Sequence, residues 1–171
     1  NHEIAYSNLG VIYKNTDRTC EAIDIYEQAI LINPNFADAH ANLGNLLHDL
    51  GKLDQALAST QKSVELRPED SNTHMTLGAI YKDLGKLDQA LSSTLNSARL
   101  KPDNPNVYVN LGNIYADLGE LNKALSAYNT ALKYNPNCPQ ANWNSSLITL
   151  LKGDFENGWR TYENRFKYAK A

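Results

Sequence analysis

Apolar residues in this chain come in short bursts at three- and four-residue spacing, and the bursts themselves recur. Between residues 43 and 64 they read Leu43, Leu46, Leu47 and Leu50, then Leu53, Ala56, Leu57 and Val64. That spacing puts each burst on one face of a helix, and the interruption at Gly51 divides the stretch into two amphipathic helices. The double pattern returns every 34 residues, so units can be counted from residues 3, 37, 71, 105 and 139. Places 7 and 8 of each unit then hold Leu9 and Gly10, Leu43 and Gly44, Leu77 and Gly78, Leu111 and Gly112, with Ser145 and Ser146 in a drifted fifth unit. Place 20 holds Ala22, Ala56, Ala90, Ala124 and Gly158; place 24 holds Tyr26, Thr60, Thr94, Tyr128 and Tyr162. Place 32 holds Pro34, Pro68, Pro102, Pro136 and then Lys170.

Turn chemistry agrees with the periodicity. Gly51, Gly85, Gly119 and Gly153 fall just past each first helix, where a residue free to take positive φ ends it at little cost. Asp54, Asp88, Asn122 and Glu156 fall near the start of the second helix, where acceptors are expected to satisfy free amides and negative charge suits the dipole. The proline at place 32 stops that second helix. Small residues at places 8 and 20 let paired helices approach closely. Such a pair cannot bury its apolar face alone, so neighbouring units must stack.

Small residues at places 8 and 20, aromatics near 11 and 24 and proline at 32 together resemble the tetratricopeptide repeat family, over residues 3 to about 168. The resemblance implies an all-α, right-handed α-solenoid of five 34-residue helix-turn-helix repeats at 3–36, 37–70, 71–104, 105–138 and 139–171, the last one divergent. It also implies that the first helix of each unit lines a concave groove, with places 2, 5, 6, 9, 12 and 13 facing into it.

Place 6 reads Asn8, Asn42, Thr76, Asn110 and Asn144, and place 9 adds Asn45 and Asn113. An Asn amide has two donors and an acceptor, which suits pairing with a peptide backbone whatever side chains that peptide carries. The same repeated Asn would also serve to bond the neighbouring helix and lock the stack, and the pattern fits both roles. Place 13 adds Asp49, Asp83 and Asp117 in the last turn of a helix, where negative charge opposes the macrodipole at about 0.3–1 kcal/mol each. Local pairing with Lys52 or Lys86 is one compensation, ligand contact the other. On the second reading the groove is slightly acidic and prefers neutral or basic peptides. Within the family, a clamp for acidic chaperone termini needs lysine at place 5, but that place reads Ser7, Ala41, Met75, Val109 and Trp143. The Asn ladder with groove Asp residues resembles instead the repeat domain of O-linked N-acetylglucosamine transferase and its bacterial relatives.

Composition narrows the picture further. A net charge of -3 gives no sequence-wide basic field, which argues against nucleic acid as the partner. No run approaches 18 apolar residues, so no membrane span is expected. Cys20 and Cys138 are far apart in sequence, which argues against a disulfide framework or a four-ligand metal site and favours two reduced thiols in a cytoplasmic protein. His40 and His74 at place 4 read as packing residues rather than metal ligands, and His48 at place 12 faces the groove. The Asn144–Ser145–Ser146 glycosylation pattern sits inside a helix and reads as coincidence. No phosphate loop, nucleophile elbow or HExxH is present, so neither a catalytic centre nor a cofactor is expected.

The expected function is therefore a noncatalytic scaffold that holds an extended protein segment through Asn8, Asn42, Asn45, Thr76, Asn110, Asn113 and Asn144, with Asp49, Asp83 and Asp117 beside them. Two alternatives stay open. One is the substrate-recruiting region of a larger glycosyltransferase-like enzyme whose catalytic domain would lie beyond Ala171; the helix of Phe155, Trp159, Tyr162 and Phe166 would then either cap the repeat array or pack on that domain. The other is self-association into a homo-oligomer through a convex face.

Overall fold

The structure, a computed structural model, describes residues 2–163. Phe166 and Lys170 lie outside the described residues. Every element among those residues is an α-helix. The first helices of successive units are α1 (His2–Asn15), α3 (Ala37–Asp49), α5 (Ser71–Asp83), α7 (Pro105–Asp117) and α9 (Pro139–Leu151). The second helices are α2 (Thr19–Ile32), α4 (Leu53–Leu66), α6 (Leu87–Leu100), α8 (Leu121–Tyr134) and α10 (Phe155–Glu163).

Helix ends follow the turn residues. Gly51, Gly85, Gly119 and Gly153 take φ of 71°, 72°, 76° and 84°, the left-handed region that closes a helix with a backbone bond. The first unit has no glycine there. Asp17 adopts φ 58° in its place, one of the few side chains that tolerates this conformation. At the other end, Arg67 before Pro68 is driven out of the helical region to φ -140°, ψ 81°, and α4 stops.

Capping differs from the sequence expectation. Asp54 and Asp88 lie inside the first turn, too late to cap, and the cap positions Lys52, Lys86 and Glu120 make no side-chain cap bond. Asp54 and Asp88 therefore contribute charge near the dipole but no cap bond. Side-chain caps occur on other helices: Asp70 accepts from the Asn72 amide at 2.9 Å at the start of α5, Asn104 from the Asn106 amide at 3.1 Å at α7, and Asp154 from the Asn157 amide at 3.2 Å at α10.

The chain forms two compact units, Asn1–Gly85 and Lys86–Ala171. In the first, α1 packs on α2 and α3, and α3 on α4 and α5, so first helices stand side by side. Tyr26, Leu43, Leu46, Leu47, Ala56 and Ile80 form its core. In the second, α7 packs on α6, α8 and α9 around Ala124, Tyr128, Ala131, Ala141 and Ile148. The small residues have specific duties. A Cβ on Gly10 would run into the Tyr26 ring, one on Gly112 into the Tyr128 ring, and one on Gly44 into the Thr60 side chain. Place 8 is thus the hole that receives the side chain at place 24.

Candidate functional site

First helices standing side by side leave a polar furrow between them. In the unit of α1–α5 it is a cleft of about 440 Å³ lined by Ser7, Asn8, Ala41, Asn42 and Asn45, with Ile4 and Phe36 also in its wall. The unit of α6–α10 has a counterpart of about 360 Å³ lined by Asn106, Val109, Asn110, Asn113 and Gln140. The second is built from places 2, 5, 6 and 9 of the repeat, and so is most of the first, which Phe36, Asp70 and Thr73 extend.

Inside these clefts the Asn residues fall into two groups. Asn144 Nδ2 donates to Asn113 Oδ1 at 2.8 Å, and Thr76 Oγ1 donates to Asn45 Oδ1 at 2.6 Å. In both pairs place 6 bonds place 9 of the preceding unit. Asn42 has no such partner because place 9 of the first unit is Val11, and it reaches Ser7 Oγ at 3.3 Å instead. Asn8 and Asn110 make no side-chain hydrogen bond among the described residues. Asn8 is exposed and Asn110 half-buried, so both amides stand in the cleft with their donors and acceptor unused.

Asn113 is held from two sides. Its Oδ1 also accepts from the Tyr128 hydroxyl at 2.8 Å, so both oxygen lone pairs are engaged and the two amide hydrogens remain to be offered. Burial pushes the Tyr128 hydroxyl up to about 12, Asn144 opposing it, so the phenol stays a protonated donor through neutral pH. This bond is missing from the expectations drawn from sequence. The signal that could have found it is the coincidence of tyrosine at place 24 with asparagine at place 9, which occurs in the fourth unit and not in the first.

The Asp residues at place 13 are also partnered across units. Lys14 Nζ reaches Asp49 Oδ2 at 2.8 Å, and His48 Nε2 reaches Asp83 Oδ2 at 2.8 Å. The base at place 12 of one unit thus meets the acid at place 13 of the next, and Asp49 does not use Lys52. Desolvation raises the Asp83 carboxyl, but hydrogen bonds from Lys82 and His48 outweigh it and leave the group below the ordinary aspartate range. Asp117 is exposed and makes no ion pair among the described residues.

Place 4 proves to be a staple. His40 Nε2–H donates to the Pro34 carbonyl at 2.9 Å, His74 Nε2–H to that of Pro68 at 2.8 Å, and Tyr108 OH to that of Pro102 at 2.8 Å. Asn142 Nδ2 does the same to Pro136 at 3.2 Å. Each closes the loop between units across six residues. Among the described residues no three His, Cys, Asp or Glu side chains gather in a way that could hold a metal. Cys20 and Cys138 are both free thiols, the first exposed and the second buried. No helix among the described residues is long and apolar enough to cross a membrane.

Models of the tetratricopeptide repeat match residues 4–36, 25–58 and 105–138, and one described as TPR repeat matches 78–119. No curated protein sequence matches the chain. Among solved structures, MamA is similar with a TM-score of 0.84 at 21% identity, over 94% of this chain and 94% of that one. A thermophilic TPR protein of Thermus thermophilus, TTC0263, is similar at 0.80 and 25% identity, over 98% and 92% of the two chains. YrrB, described as a TPR protein with an unusual peptide-binding site, is similar at 0.78 and 19% identity, over 98% and 88%. These likenesses share one all-α repeat fold, and the family models fall in both compact units. With its helix pairs, glycine and alanine contacts and proline stops, this chain belongs to the tetratricopeptide repeat family, an α-solenoid fold.

Proposed function

We propose that the chain is a noncatalytic interaction module that holds an extended segment of a partner protein against its first helices, in repeats bounded at 3–36, 37–70, 71–104, 105–138 and 139–171. The observation that carries this reading is the pair of unused amides, Asn8 and Asn110, at the same repeat place in a polar cleft of each compact unit. An amide with free donors and acceptor in a cleft is suited to an extended backbone, which offers both. Asn45 and Asn113 add amide hydrogens for ligand carbonyls, while Asn42, Thr76 and Asn144 divide their bonding between ligand and stack. Asp117 makes no ion pair among the described residues, whereas Asp49 and Asp83 are paired with Lys14 and Lys82, so the preference for basic over acidic segments is mild. The peptide-binding site described for YrrB, a protein of the same fold, supports a peptide as the class of ligand.

First helices spaced about 8–10 Å apart would meet every third residue of a chain rising about 3.3 Å per residue, so peptides of about a dozen residues are the right probes. The test is an array of such peptides varied in charge, read with the unaltered chain and with the Asn8→Ala, Asn110→Ala double variant. Neutral and basic peptides should bind the unaltered chain and lose about tenfold or more in the variant, with its melting temperature unchanged. Equal binding by both forms would remove the amides from recognition.

A further inference from the structure

The polar first-helix face changes character at α9. Place 9 alternates Val11, Asn45, Ala79 and Asn113 before Leu147, while place 13 is polar throughout the earlier units, as Asn15, Asp49, Asp83 and Asp117, and then becomes Leu151. Place 5, which holds Ser7, Ala41, Met75 and Val109 in the earlier units, becomes Trp143. These three residues lie four apart on one helix face, and they are 37%, 38% and 73% exposed. The same places stay open even where another unit packs against the helix. Ala41 and Asn45 face their cleft, and Asp49 is 56% exposed, although α5 packs on α3. The stripe is therefore part of the ligand-facing surface, made apolar.

Three further observations describe what would fit there. The α9 helix contains no ionisable side chain from Pro139 to Leu151, so an ionic group would find no partner on it. The Asn113–Asn144 bond joins α7 to α9, so the stripe borders the Asn-lined cleft within the same compact unit. The Trp143 ring is backed by Tyr162 at 4.9 Å between centroids, and Tyr162 by Trp159 at 5.4 Å, which fixes an aromatic surface in place.

We infer that the segment held by this module is polar along the Asn-lined face and carries an uncharged, large apolar side chain at the end that lies on α9, where Trp143, Leu147 and Leu151 receive it. This rests on the peptide reading above and deepens it by naming the ligand's chemistry. Burying one such side chain is enough to raise affinity about tenfold.

The substitutions Leu147→Asn and Leu151→Asp test it with little risk to folding, because other units carry those residues at those places. The probes are fluorescein-labelled peptides of about a dozen alternating Ser and Ala, plain, with Phe at the first position, and with Phe at the last. For the unaltered chain one Phe-ended probe should bind about tenfold tighter than the plain one. In the double variant that advantage should vanish while the plain probe binds as before. Equal binding of all three probes by the unaltered chain would overturn the inference and leave the peptide reading standing. So would an advantage that survives the two substitutions. Failure of every probe to bind the unaltered chain would overturn both. Light scattering on the two proteins supplies a separate outcome: a dimer that the substitutions convert to monomer would assign the stripe to a second copy and overturn the inference.

Discussion

Gly112 and Tyr128 behave as one packing device, since the ring occupies the space a β-carbon on residue 112 would need. Gly112→Ala should therefore push the buried ring aside and cost about 1–3 kcal/mol in urea unfolding. A cost below a few tenths would mean the helices separate freely. The Tyr128 hydroxyl yields a second prediction at this scale. Its folded value, raised to about 12, lies above the ordinary tyrosine value of about 10, so the folded state holds this proton more tightly. Its contribution to stability is complete below pH of about 10 and is lost as pH rises from there through about 12, with a slope of at most about 1.4 kcal/mol per unit. Denaturation across that window should show a shallower decline in Tyr128→Phe than in the unaltered chain. Burial raises Tyr26 in the same direction, so part of the decline should persist in the variant.

At the scale of elements, hydrogen bonds between helices separate residues that a sequence pattern treats as equivalent. Asn144→Ala removes the donor that ties α9 to Asn113 on α7 and should cost about 1 kcal/mol. Asn110→Ala removes an amide with no partner among the described residues and should change stability by less than about 0.5 kcal/mol. Thermal and urea unfolding of the two variants side by side checks this contrast; equal costs would show that the two asparagines do the same work. Much of the element plan was legible in advance. Glycine at Gly51, Gly85 and Gly119 and proline at place 32 act on local φ and ψ, which a sequence states directly. The pairing of Asn144 with Asn113, of Lys14 with Asp49 and of His48 with Asp83 was not. Those partners lie 31 or 35 residues apart, and which of the two offsets is used depends on how helices of successive units pack. The capping role given to Asp54 and Asp88 failed for a smaller reason, a shift of one or two residues in where the helix starts.

For the molecule as a whole, each compact unit presents a furrow of the same repeat places, and its surface chemistry is set by a few residues that the helix contacts leave unused. That furrow could be anticipated from the family pattern, since places 2, 5, 6 and 9 line both clefts. Which amides are free could not, because it turns on the partners that packing brings within reach: Asn144 finds Asn113, and Asn42, with Val11 at place 9 of the preceding unit, finds Ser7 instead. The account's central claim is that these first-helix amides meet a peptide backbone directly. The most direct test follows the side-chain amide resonances of the isotopically labelled chain by NMR as a neutral peptide of about a dozen residues is added. The account predicts saturable shifts at Asn8, Asn110 and Asn113, with the backbone amides of α2, α4, α6 and α8 unmoved. Shifts confined to the second helices, with those three side chains unchanged, would contradict it.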